Sequence, residues 1–439
     1  MQMNFLKSTV SLILVALVAM ITGVSVAQDI NSSNLTGSPY TRYGYGKIGS
    51  IGNASTRSMG DVGIALRTNN YTSLANPASL TAIDTLTMIF SMGLDADYST
   101  FSEQGKTNRN WNGGFSYMSL HFPLWRNFAM SLSLTPYTMV GYSYGNIDKT
   151  SVISPVNRHD TLSIATAYEG VGGINNFMMG IGYRIWQNKM NEFNVGVHVG
   201  YLFGTIEHEV MLTTSNQSNS TLVSHVMDTR GLLFDVGLQY THRFNAMHSL
   251  TIGATFQPKL NMSIDTEELK ISTDTLSLKE EFRNDLKSPM KLGFGLSYNI
   301  SRKLTVSADY EFVKWSEVSG LDTDLSARKG LEIFNDTHRF AVGAEYIPRA
   351  NSNKFFQNCR YRAGFNTKNS YMLVNKVKLQ ETAVTAGISL PVNRRCFLDF
   401  GIGYSHLQPS ENNMLKEDYL TFNLGVTFNE MMFFRNKLR

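Results

Sequence analysis

The chain has 439 residues, 39 Lys and Arg against 35 Asp and Glu, and a formal net charge of +4. A balance so near neutral gives no reason to expect a nucleic-acid partner, and two Cys in the whole chain exclude a disulfide-dense scaffold. Charged residues make up only 17% while Gly, Tyr and Phe number 35, 20 and 26, and strong helix formers rarely cluster, which speaks against a string of helical domains.

In chain order, Met1 to Lys7 carries one positive charge, and Val10 to Ile21 is almost wholly apolar. Ser25-Val26-Ala27 then supplies small residues at the positions a signal peptidase reads. This pattern predicts a signal peptide over 1–27, cleaved before Gln28. The apolar stretch is shorter than the ~20 residues of a spanning helix, which argues against an uncleaved anchor. No Cys near the cut offers a site for lipid attachment.

Residues 28–85 do not alternate. They are rich in small residues, with Gly44, Gly46, Gly49 and Gly52 followed by Arg57 to Ala65. A segment of this length and composition is either a disordered arm or a plug folded inside something larger, and its regular apolar residues favour the plug.

From Leu86 to the end, 86–439, the chain alternates with period two, again and again, between turn signals. Leu420, Phe422, Leu424, Val426 and Phe428 interleave with Tyr419, Thr421, Asn423, Gly425 and Thr427. Leu398, Phe400, Ile402 and Tyr404 interleave with Asp399, Gly401, Gly403 and Ser405. A soluble sandwich also alternates, but its outer face is usually rich in Lys, Glu and Thr. Here the polar face is Gly, Ser, Asn and isolated charges, which suits a crowded lumen, and the apolar face often ends in Tyr or Phe, as in an aromatic girdle. The expected fold is therefore all-β, a transmembrane antiparallel β-barrel in the outer membrane of a Gram-negative bacterium.

Strand starts are expected near Leu86, Gly113, Phe128, Thr161, Phe193, Gly231, Leu250, Lys291, Leu304, Arg339, Arg360, Ala383, Phe397 and Tyr419. That is about 14 strands, an even number as single-chain bacterial barrels require. Thr161 to Ile185 is too long for one regular strand, and Gly170, Gly172 and Gly173 at its centre predict a kink or bulge, either structural slack or a lateral opening in the wall. Short links at 186–191, 299–303 and 391–395 read as periplasmic turns, and long polar ones near 101–112, 145–160, 206–228, 262–288, 316–336 and 407–418 as extracellular loops. Both chain termini are then periplasmic, with a basic tail from Arg435 to Arg439. Cys359 and Cys396 fall in predicted strands and read as small buried residues; whether they pair stays open.

Ser58-Met59-Gly60-Asp61-Val62-Gly63-Ile64-Ala65, followed by Asn76-Pro77-Ala78-Ser79-Leu80, resembles the start of the FadL/TodX family of outer-membrane transport proteins. Ser288 to Gly295, Ala308-Asp309-Tyr310, Lys314-Trp315-Ser316, Arg339 to Tyr346 and Tyr361 to Phe365 resemble that family's later strands in order and spacing. The resemblance implies a 14-stranded barrel around an N-terminal hatch with an Asn-Pro-Ala signature, and passive passage of a hydrophobic small molecule of the long-chain fatty acid or aromatic hydrocarbon class. The chain departs from the common barrel ending on an aromatic residue: it runs on from Phe433-Phe434 to Arg439, so Phe428 or Phe434 is the candidate assembly signal.

Asn76, Pro77 and Ala78 are the candidate gate, or equally a fixed corner between hatch and barrel: Pro77 fixes φ and Asn76 can bond nearby backbone. A carboxylate ligand would need a lumenal cation, and alternation turns Lys291, Arg339, Arg360 and Arg362 inward. The same alternation turns Asp309, Glu311, Glu345 and Asp399 inward, so pairing of these charges is the competing expectation.

The nine His are scattered without metal spacing, and His208 between Glu207 and Glu209 reads as a solvated loop residue. No nucleophile elbow or phosphate loop occurs, so no catalytic residue, metal ligand or cofactor is expected. The rival reading is a structural or secretion-system-associated barrel whose long loops bind protein. The expected partners are an apolar ligand and outer-membrane lipid, with the barrel as a monomer.

Overall fold

The computed structural model describes residues 36–431 apart from 72, 153–159, 215–219, 273–274, 319–333, 350–351, 353, 375, 394–395 and 412–413. The expected signal peptide (1–27) and basic tail lie outside the described residues. The alternation seen in sequence becomes one closed antiparallel barrel of 14 strands. A two-residue strand, β1 (Lys47–Ile48), comes first. The wall begins with β2 (Thr87–Glu103), β3 (Lys106–Trp125), β4 (Phe128–Val152), β5 (Asp160–Gln187), β6 (Asn191–Thr214) and β7 (Ser220–Arg243). β8 (His248–Gln257) runs on into β9 (Asn261–Ser272), and β10 (Thr275–Lys287) into β11 (Met290–Ile300). Then follow β12 (Leu304–Lys314), β13 (Thr337–Tyr346), β14 (Arg360–Val374), β15 (Val377–Pro391), β16 (Cys396–Pro409) and β17 (Lys416–Met431).

β17 pairs with β2 from Lys416↔Ser102 to Met431↔Thr87, which closes the wall. β7 holds β9 along its first half and β8 along its second, so β8 with β9, and β10 with β11, each fill one wall position. The breaks fall at Pro258 and Pro289, where a residue without an N–H cannot sustain a central ladder.

The strands reach further than alternation indicated. About 9–11 residues cross a bilayer, yet β5 has 28 and β4 has 25. The long connection expected at 101–112 is strand on both sides of a tight turn at Gln104 and Gly105, with φ of 47° and 80°. Much of 206–228 and 262–288 is likewise paired strand. The starts expected at Gly113, Gly231 and Ala383 are thus Lys106, Ser220 and Val377. Above the membrane both faces of a ribbon are wet, so the apolar half of the alternation disappears while the backbone ladder continues.

Thr161 to Ile185 lies within the single strand β5, which is not regular: its ladder with β6 breaks between Gly172 and Asn175 and bulges at Ile185, between Arg184 and Trp186. Cys359 precedes β14 rather than lying in a strand; it and Cys396 are both unpaired thiols. His208 is not a loop residue: it sits in β6, 2% exposed, with Nδ1 2.7 Å from the Tyr142 hydroxyl.

Large apolar side chains cover the outside, among them Phe294 (56% exposed), Phe340 (54%) and Val384 (57%). Such a surface is stable only against lipid. Inside, successive strands offer glycines in register: Gly196↔Gly237, Gly253↔Gly295, Gly343↔Gly364 and Gly387↔Gly401. Residues 54–80 press on this girdle. A Cβ on Gly364 would lie 2.1 Å from the Gly60 nitrogen, and one on Gly253 2.3 Å from the Ile64 oxygen. Glycine is thus required by close approach of two backbones.

A cavity at an unpaired stretch of wall

β3 and β4 pair only from Trp125↔Phe128 to Met118↔Leu134. Beyond that point β3 keeps its ladder with β2, and β4 keeps its ladder with β5, but the two no longer pair with each other. The cause is local. Pro136 lacks an N–H, the register slips between Pro136 and Thr138, and on β3 it slips between the partners of Gly93 and Leu94.

The edge that β4 loses is taken up from inside. β1 pairs antiparallel with it, Lys47↔Met139 and Ile48↔Thr138, and the Gly49 N–H donates to the Tyr137 carbonyl at 2.9 Å. A cavity of about 400 Å³ adjoins the unpaired stretch. Ile48, Gly49 and Ile51 line it from the N-terminal segment, Gly113 to Ser116 from β3, and Pro136, Tyr137 and Met139 from β4; it extends across the lumen to Arg339, Lys368 and Gly403. Towards the end of the barrel with the long hairpins it is capped by an aromatic stack: Trp315 and Tyr371 rings are 4.4 Å apart, and the Tyr371 hydroxyl donates to the Gly46 carbonyl at 2.6 Å.

The four cations that alternation turned inward do face the lumen, and all four are paired. The Arg339 Nε donates to Glu311 at 2.7 Å, and Lys291 reaches the other oxygen of that carboxylate at 2.5 Å. Arg339 also donates to the Asp61 carbonyl at 3.1 Å. Arg362 bridges Glu345 at 2.7 Å and Asp399 at 3.2 Å, and Arg360 reaches Glu345 at 3.2 Å. Lys291 and Arg339 line the cavity; Arg360 and Arg362 lie apart from it, beside Asn70 and Tyr71. Guanidinium–carboxylate pairs of this kind neutralise each other and leave little charge for a ligand, although the buried Arg362 Nη2 has no hydrogen-bond partner among the described residues.

Asn76, Pro77 and Ala78 are held from several sides. The Asn76 side-chain Oδ1 accepts from Ala78 N–H at 3.0 Å, and its Nδ2 donates to the carbonyls of Ile64 at 2.7 Å and Leu238 at 3.2 Å. Pro77 opens a short 3₁₀ helix, Pro77–Ala82, seated on Gly196 and Gly237. Asp309 fixes the same segment by accepting from Gly63 and Ile64 N–H at 2.6 and 3.0 Å.

Gly170, Gly172 and Gly173 lie in β5, and the φ values of Gly172 and Gly173 are 112° and 158°. β5 stays paired to β4 through all three, while its ladder with β6 breaks between Gly172 and Asn175; the longer unpaired stretch is on the far side of β4, between β4 and β3.

Sequence reasoning missed β1, the β3–β4 separation and two ion-pair anchors. Arg57 pairs with Asp95 on β2, which also accepts from Ser116 at 2.7 Å. Arg67, Arg184 and Arg243 converge on one buried carboxylate, Glu192, at 2.6, 3.1 and 2.6 Å. A proline inside an alternating run was the one available signal for the separation.

A family model described as BamG matches residues 9–439. No curated protein matches the sequence. Among solved structures of similar fold, the toluene transporter TodX of Pseudomonas putida is 15% identical, over 88% of this chain and 100% of that one, with a TM-score of 0.54. The toluene transporter TbuX of Ralstonia pickettii is 15% identical over 87% and 98%, TM-score 0.51, and a FadL homologue of Pseudomonas aeruginosa 12% over 86% and 98%, TM-score 0.52. At these identities the likeness is one of fold.

Proposed function

The chain belongs to the BamG family, and we propose, from its barrel and the wall described above, that it is a monomeric outer-membrane barrel, with both termini in the periplasm, that passes a hydrophobic small molecule between its lumen and the surrounding lipid. The observation that carries the reading is the unpaired stretch between β3 and β4 with a cavity behind it. An apolar solute crosses a polar saccharide leaflet poorly, and burial in an apolar groove is worth about 0.8 kcal/mol per CH₂. The similar folds include toluene transporters, which supports an apolar ligand of the aromatic hydrocarbon or fatty acyl class.

Residues 28–85 act as the hatch, and β1, rather than Asn76-Pro77-Ala78, is its moving part. Asn76 is fully buried and bonded three ways, whereas β1 is held on β4 by a two-residue ladder. The paired state of Lys291, Arg339, Arg360 and Arg362 supports an uncharged ligand over a free carboxylate.

The same ion pairs favour a second reading, a barrel with a fixed plug that serves as a scaffold for protein partners. Mass spectrometry of apolar compounds retained by the detergent-extracted barrel separates the two. The test variant is Gly403→Trp, which fills the cavity from a position where a Cβ meets nothing closer than 3.4 Å. Transport predicts a retained neutral hydrophobe that the variant loses; an empty wild-type barrel at native expression would favour the scaffold.

A further inference from the structure

The six hairpin turns at the end of the barrel that carries the chain termini contain no Asp or Glu, yet nearly every one carries Lys or Arg. Arg126 stands in the β3–β4 turn, Lys189 in the β5–β6 turn, Arg302 and Lys303 in the β11–β12 turn, and Lys354 between β13 and β14; all five are exposed. The β15–β16 turn reads Val392-Asn393-Arg394-Arg395. Carboxylates at this end lie off the turns: Asp84 accepts from Asn69, Glu192 is enclosed by three guanidiniums, Glu345 and Asp399 pair with Arg360 and Arg362, and Glu430 is on β17. At the opposite end the hairpins mix both signs, as in Glu267-Glu268-Leu269-Lys270.

Beside the cations stand large apolar side chains in the open. Trp125, next to Arg126, is 73% exposed; Met190, next to Lys189, is 57%. Phe244 follows Arg243 and is 53% exposed, and Phe356 follows Lys354 by two residues at 70%. One cation is kept where the backbone disfavours it. Ser301 and Arg302 both have left-handed φ, 53° and 56°, in a turn where Asn and Gly are the usual residues.

We propose that this end of the barrel carries a belt that binds anionic glycerophospholipid headgroups, in the periplasmic leaflet if the orientation proposed above holds. Two features select lipid as the occupant. First, the motif recurs from turn to turn around the circumference, whereas a protein partner would touch one sector. Second, cations paired with exposed aromatic and thioether side chains match the headgroup boundary, where rings sit at the interface and Lys and Arg reach phosphate.

The test uses the full barrel in mild detergent, incubated with an equimolar mixture of phosphatidylglycerol and phosphatidylcholine, with bound lipid counted by native mass spectrometry. The wild type should retain phosphatidylglycerol over phosphatidylcholine by about fivefold or more. The variant Arg126→Gln/Lys189→Gln/Arg302→Gln/Lys303→Gln should lose that preference while keeping the heat-modifiable gel mobility of a folded barrel. Arg349→Gln/Lys354→Gln, confined to one longer connection, supplies a milder second variant with a partial loss. Equal retention of both lipids by the wild type, or an undiminished preference in both variants, would overturn the proposal. Retention of an acidic protein in place of lipid, lost in the same variants, would overturn it in favour of a protein dock.

Discussion

Ile48 lies across from Thr138, so the edge that β4 presents to the lumen is completed by the N-terminal segment and not by its neighbour β3. The ladder is two residues long, and the chain enters it through Gly46 at φ 83°. A Cβ there would stand 2.4 Å from the Met139 carbonyl oxygen. Gly46→Ala is therefore expected to weaken the docking of β1 by about 1–3 kcal/mol, the cost of holding a side chain in the left-handed region. Amide hydrogen exchange checks it: the Gly49 N–H should exchange faster in the variant, while amides of the β2–β17 seam keep their wild-type protection.

The lower part of the segment should respond differently. In Gly364→Val the new side chain meets backbone of Met59 and Gly60 at 2.1 Å, with no flexible group to give way. Overpacking of this kind costs about 1–3 kcal/mol or more. The barrel should still form, since its ladders are untouched. Limited proteolysis should then cut within residues 54–80 in the variant and spare them in the wild type.

Glu311 carries both Lys291 and Arg339. Glu311→Ala leaves two half-buried cations without this carboxylate, though Arg339 keeps Asp61, a change expected to cost about 1–3 kcal/mol in denaturant unfolding. It also frees charge beside the cavity. The variant should retain an added long-chain carboxylate that the wild type rejects, as read by mass spectrometry of bound lipid. Equal retention by both proteins would mean that the pairing does not govern ligand charge.

What the sequence made legible follows from what alternation encodes. Leu398 to Ser405 and Tyr419 to Phe428 gave strands in the right places because one side meets lipid and the other meets packed protein. Lys106 to Asn112 carries no strand signal because every residue but the last is exposed on both faces of a hairpin, so its pairing leaves no apolar trace. His208 looks solvated in sequence for a related reason: its acidic neighbours dominate the local composition, while the Tyr142 partner lies 66 residues away in sequence.

Alternation also turned Arg339 and Arg362 inward, but only the register shows that they stand directly opposite Glu311 and Glu345. The β3–β4 separation was least legible of all. It is a ladder that stops, and of its causes only Pro136 is visible without the fold.

Passage at the β3–β4 separation requires β1 to move. Lys47 and Met139 are directly paired, so Lys47→Cys/Met139→Cys, with Cys359 and Cys396 replaced by Ser, brings two thiols within disulfide reach. The measurement is uptake of a radiolabelled aromatic hydrocarbon by cells with an intact lipopolysaccharide leaflet, before and after a reducing agent is added. Slow uptake in the oxidised form, restored to the wild-type rate on reduction, is the predicted result. Identical uptake in both forms, at the rate of the wild type, would contradict a gate at this place.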